Sequence, residues 1–185
     1  MAAFRLLALA VLLLAAAAGP ADAGAKARLP APLAADCGSG VTGIGFTAYA
    51  CGSGAGGTKY AHLAELVVLR TNGSYSGYRD SISEPDLRAR STTGEVVAAH
   101  NDAIVQVTAS ALKTLVSQRR LDQLFPGSPG LAAINALTVT ASGAVLFRAN
   151  YYAPHKHGCG NIRAELTAGG RVKVLWRSAT GLICG

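Results

Sequence analysis

IRAELTAGGRVKVLW, residues 162–176, sorts into two faces once its turn is read as the three residues Ala168-Gly169-Gly170. A type I turn followed by a left-handed residue needs glycine, or less often asparagine, at its third position. With that turn, Ile162, Ala164, Leu166, Val172, Val174 and Trp176 fall on one side of a β-hairpin. Arg163, Glu165, Thr167, Arg171 and Lys173 fall on the other, with Leu175 the exception. A two-residue turn would slip the register by one and mix the faces.

The same object recurs twice upstream. Ala64–Tyr78 turns at Thr71-Asn72-Gly73, and Leu137–Tyr151 turns at Ala141-Ser142-Gly143. Between them, Thr108 reads as an N-cap. Leu112, Leu115 and Val116 follow at helical spacing, with Lys113, Gln118, Arg119 and Arg120 on the other sides. Pro126-Gly127 ends that helix. Ser81–Gly94 reads as a surface loop, while Glu95–His100 and Ala103–Val107 are short and ambiguous. The order hairpin, helix, hairpin, hairpin predicts an α+β fold. It consists of an antiparallel sheet of five to seven strands built from the three hairpins, with one α-helix packed on one face.

Residues 1–23 have the pattern of a signal peptide. Arg5 precedes the apolar run Leu6–Ala18, and Ala21-Asp22-Ala23 is a small-x-small cleavage site. Residues 24–36 read as a flexible N-terminal segment, and 37–185 as a single disulfide-stabilised domain. Four cysteines in an exported chain imply two disulfides. Of the three possible pairings, the sequence-local one is expected: Cys37 with Cys51 and Cys159 with Cys184. The chain is expected to be secreted or extracytoplasmic, monomeric, and free of any transmembrane segment once the signal is removed.

Positive charge is concentrated at one end. The whole chain carries seventeen Lys and Arg against ten Asp and Glu. Residues 60–122 are balanced at seven of each sign, whereas residues 124–185 hold six cations against Glu165 alone. A field of this kind favours an anionic macromolecule or surface as partner. On the second and third hairpins Arg148, Tyr152, Arg163, Arg171 and Lys173 can share one polar face. Arginine forks suit phosphate, sulfate or carboxylate groups.

Catalytic motifs are few. The chain has no GxSxG, no CxxC and no phosphate-loop GK[ST]. His155-Lys156-His157-Gly158-Cys159 is the one suggestive string, its histidines spaced i, i+2. Catalytic zinc wants three protein ligands and an open position, and a third ligand would have to come from His62 or His100. No cofactor and no metal are expected. The expected function is therefore a non-catalytic exported binding domain for an anionic partner. The alternative is a small secreted phosphodiester hydrolase, in which His155, His157 and Glu165 would do general acid–base work. Asn72-Gly73-Ser74 matches a glycosylation sequon, but it is also the turn the first hairpin needs.

Overall fold

The computed structural model describes residues 29–51, 65–79, 88–128, 130–153 and 158–178. The expected signal peptide lies outside them, as does the His155–His157 string. Three four-stranded antiparallel sheets account for most of the described chain. The first contains β1 (Val41–Gly43), β2 (Phe46–Cys51), β3 (Glu65–Arg70) and β4 (Tyr75–Arg79). The second contains β5 (Arg88–Arg90), β6 (Val96–His100), β7 (Ala103–Val107) and β8 (Leu112–Val116). The third contains β9 (Leu131–Val139), β10 (Val145–Ala153), β11 (Gly158–Leu166) and β12 (Val172–Arg177). Two short helices, α1 (Ala31–Asp36) and α2 (Gln118–Asp122), complete the described elements. Each sheet is a simple meander in chain order, and the first strands β1, β5 and β9 lie next to one another.

This overturns the expected α+β fold with its one sheet of five to seven strands and its covering helix. The misread segment is residues 108–120. Thr108 does not cap a helix: its hydroxyl donates to the Ala111 carbonyl at 2.8 Å and accepts from the Ala111 amide at 3.0 Å, closing a tight turn. Leu112 then enters an edge strand paired with β7. A bulge between the Ile104 and Val105 pairings leaves Leu115 as the extra residue, so Leu115 and Val116 face the same way. Leu112 faces the opposite core. The i, i+3, i+4 stripe is thus two faces of a bulged strand.

The second sheet is buried on both sides. Val96, Ala98, Val105 and Val107 pack against Phe46, Ala48, Leu66 and Val68 of the first sheet. Val97, Ile104 and Val116 pack against the third, where Phe147, Ala149, Ile162 and Ala164 meet them. The run Val96-Val97-Ala98-Ala99 lacks alternation for this reason. Beyond the first sheet, Leu29 and Ala34 of the N-terminal segment cover Tyr49, Val67 and Leu69, and the Cys37–Cys51 disulfide ties that segment down. Cys159 is disulfide-bonded and buried, and Cys184, its expected partner, lies outside the described residues.

All three expected glycine turns form, with φ of 87° at Gly73, 78° at Gly143 and 77° at Gly170. A fourth sits inside the segment read as a surface loop: Thr92-Thr93-Gly94, with Gly94 at φ 84°. In three of the four turns a hydroxyl before the turn accepts the amide four residues on. The pairs are Ser91 Oγ with Glu95 N, Thr140 Oγ1 with Ala144 N, and Thr167 Oγ1 with Arg171 N, at 3.0–3.2 Å. Strands β6 and β7 are joined by Asn101-Asp102, both at positive φ, which is the two-residue turn that matches strand twist. No atom lies within 4 Å of where a Cβ would sit on Gly143 or Gly170, so a substitution there tests backbone strain alone. Valine at either position is expected to lower stability by about 1 kcal/mol or more, read as a shifted urea midpoint. A neutral result at both would overturn the register.

Helix α2 is pinned to the inner face of the third sheet by Tyr151. Its hydroxyl donates to the Leu121 carbonyl at 2.7 Å, and its ring stacks on Phe125 at 5.4 Å between centroids. Phe125 in turn lies where a Cβ on Gly160 would sit, and the Arg177 guanidinium lies 5.5 Å from the Phe125 centroid. Burial pushes the Tyr151 phenol up, the Asp122 carboxylate adds to the effect, and Arg177 opposes it. The folded state therefore holds this proton more tightly than the unfolded chain, whose tyrosines titrate near pH ~10. The stabilisation is complete below that pH and declines above it, by up to ~1.4 kcal/mol per pH unit. Denaturant titrations from neutral pH into strong alkali are expected to show a shallower alkaline loss for Tyr151→Phe than for the parent. Identical slopes would refute the linkage.

Candidate functional site

Among the described residues, the outer face of the third sheet is exposed at Leu146, Arg148, Tyr152, Arg163 and Lys173. Its side chains point outward because they alternate with buried ones. Leu146, Arg148 and Tyr152 interleave with Phe147, Ala149 and Tyr151, while Arg163 and Glu165 interleave with Ile162, Ala164 and Leu166. The expected sharing of one face by Arg148, Arg163 and Lys173 holds in the register. Arg148 is directly opposite Arg163, and Glu165 is opposite both Leu146 and Lys173. Tyr152 lies further along β10, opposite Cys159. Arg171 is exposed at the end of its glycine turn, two residues before Lys173.

Trp176 was expected on the apolar side, and the structure places it outside. A bulge between the Arg163 and Ala164 pairings makes Leu175 an extra residue. From there on the side chains swap faces. Trp176 pairs with Arg163 and is 49% exposed, with the Arg163 guanidinium 5.6 Å from its ring centroid. Arg177, counted among the C-terminal cations, is exposed and donates to the Leu124 carbonyl.

One cross-strand row thus reads Ala136, Arg148, Arg163, Trp176. A shallow depression of about 220 Å³ lies between Ala136, Thr138, Leu146, Arg148, Arg163 and Leu175. Two like charges directly opposite each other across a ladder are destabilising. An anionic group bound beside Arg148 and Arg163 would offset their like charge, and guanidinium forks match phosphate, sulfate or carboxylate. Exposed Leu146, Tyr152, Leu175 and Trp176 set apolar and aromatic surface around the cations.

Of the alternative catalytic set, Glu165 is the member among the described residues. Glu165 is on the outer face opposite Lys173, whereas His155 and His157 lie outside the described residues. His100 Nε2 sits 3.2 Å from the Tyr78 carbonyl, at the end of β6. Among the described residues, no three His, Cys, Asp or Glu converge on a point a metal ion could occupy.

Sequence reasoning missed a second concavity. A groove of about 750 Å³ runs between the second and third sheets, where the turns at Thr92-Thr93, Ala141-Ser142 and Ala168 gather. Gln106 Nε2 donates to Glu95 Oε1 at 3.2 Å on its wall, and Lys113 lies beside them. Its signal was the turn motif itself, present at Thr92-Thr93-Gly94 as plainly as in the three hairpins that were read. The chain matches no family model, no curated protein and no solved structure in the three comparisons.

Proposed function

We propose that this protein is an exported, non-catalytic binding domain that takes an anionic partner on the outer face of its third sheet. Arg148, Arg163, Arg171 and Lys173 contact the anion, and Tyr152 lines the approach. The observation that carries the reading is the direct opposition of Arg148 and Arg163, both exposed, on the outer face, an arrangement of like charges that an anion would offset. Export is supported by the signal-like residues 1–23 and the Cys37–Cys51 disulfide. No helix among the described residues is long and apolar enough to cross a membrane.

The reading is tested by measuring affinity of the protein lacking residues 1–23 for inorganic polyphosphate as salt rises from about 50 to 200 mM. Neutralising three to four anionic groups should make log K fall with log salt at a slope of about −2 to −3. A flat dependence, or no binding at about 50 mM salt, would refute the reading.

A further inference from the structure

We infer that the anionic partner of this face is single-stranded nucleic acid. The inference rests on the anion-binding reading above and specifies its chemistry. A partner recognised by charge alone makes no use of the aromatic surface on the same face. Trp176 is 49% and Tyr152 56% exposed, and Leu146 and Leu175 are exposed beside them. A single strand carries phosphates and flat base faces together, and both kinds of group are on this sheet. Base–aromatic stacking tolerates any sequence because every base has a π-face.

The layout fits this chemistry. Trp176 ends the row that begins with Arg148 and Arg163. Tyr152 lies four residues along β10 from Arg148 and two strands over from Trp176, roughly 16 Å away by strand geometry. Arg148 and Arg163 therefore lie between the two stacking platforms, where their guanidinium groups can hold phosphates between stacked bases. Along that path Asn135 Nδ2 donates to Asn150 Oδ1 at 3.0 Å, and such amides can meet base edges. A broad four-stranded face cannot enter a duplex groove to reach base edges, so only splayed, unpaired bases can lie on it. A lipid surface fits less well, because Tyr152 and Trp176 are on strands of a sheet and not at a loop tip.

Trp176 is the only tryptophan of the chain, which makes its fluorescence a direct readout of this face. The experiment titrates the protein lacking residues 1–23 with a thymidine oligonucleotide, the corresponding duplex, heparin and anionic phospholipid vesicles, all at one salt concentration. The oligonucleotide is expected to bind tighter than the duplex and to quench Trp176. With binding of the tryptophan-free variants followed by the anisotropy of dye-labelled ligands, Trp176→Ala is expected to weaken oligonucleotide binding on the order of tenfold without changing the salt slope. Trp176→Phe should recover most of that loss, and Tyr152→Ala should show a loss of similar size, while heparin binding changes little in any variant. Equal binding of heparin and oligonucleotide without quenching would overturn the nucleic-acid inference and leave the anion-binding reading standing. A preference for duplex or for vesicles would overturn it in the same way. Binding to none of the four would overturn both.

Discussion

Replacing Arg148 and Arg163 together with glutamine is expected to weaken binding of an anionic polymer by about a hundredfold at low salt. Two charged hydrogen-bonding contacts of about 1.5 kcal/mol each account for that size. The salt dependence should flatten in parallel, since fewer counterions are released on binding. Stability should hold or rise slightly, because the substitution removes a like-charge pair from directly opposed positions of β10 and β11. The core should not register the change, as both side chains point away from Phe147, Ala149, Ile162 and Ala164. Affinity titration and thermal melting of the same preparation give both readouts. A variant that binds like the parent would reduce this face to solvated charge.

The largest effect on stability is expected at Ile104. It is fully buried in β7 and packs within the core shared by the second and third sheets. Truncation to alanine removes apolar surface and leaves a cavity between two layers that cannot both close in, at a cost of about 2–5 kcal/mol. The contrast is Leu175→Ala, where the side chain is half exposed on the outer face and the cost should stay within about 0.5 kcal/mol. Urea unfolding of the two variants measures both. A loss below about 1 kcal/mol for Ile104→Ala would mean that the second sheet is not the central layer of the stack.

The face of Arg148, Arg163, Glu165 and Lys173 was legible because alternation in a strand follows from backbone geometry, and a glycine-ended turn sets which residues face one another. The presence of Trp176 on that face was not legible. Its side depends on the bulge at Leu175, and a bulge forms only when the partner strand is in place. The depression between Leu146 and Leu175 inherits the same dependence. The groove at the Thr92, Ser142 and Ala168 turns was equally hidden, since it exists only where the second sheet meets the third.

The sequence alone determined the features whose causes lie within a few residues. Gly73, Gly143 and Gly170 adopt positive φ because the tight turns require a conformation that a Cβ would strain. The buried alternation of Ile162, Ala164 and Leu166 follows from the strand repeat, and the closeness of Cys37 and Cys51 in the chain favoured their pairing. Tertiary structure decided whatever depends on a distant partner. Leu112, Leu115 and Val116 look like a helix stripe until β7 pairs with them and two sheets claim opposite sides of the strand. Val96–Ala99 is uninformative until both faces are covered. The physical reason is that turn geometry is a short-range steric property. Burial is a property of layers, and three meanders from distant parts of the chain must stack before any residue acquires an inside.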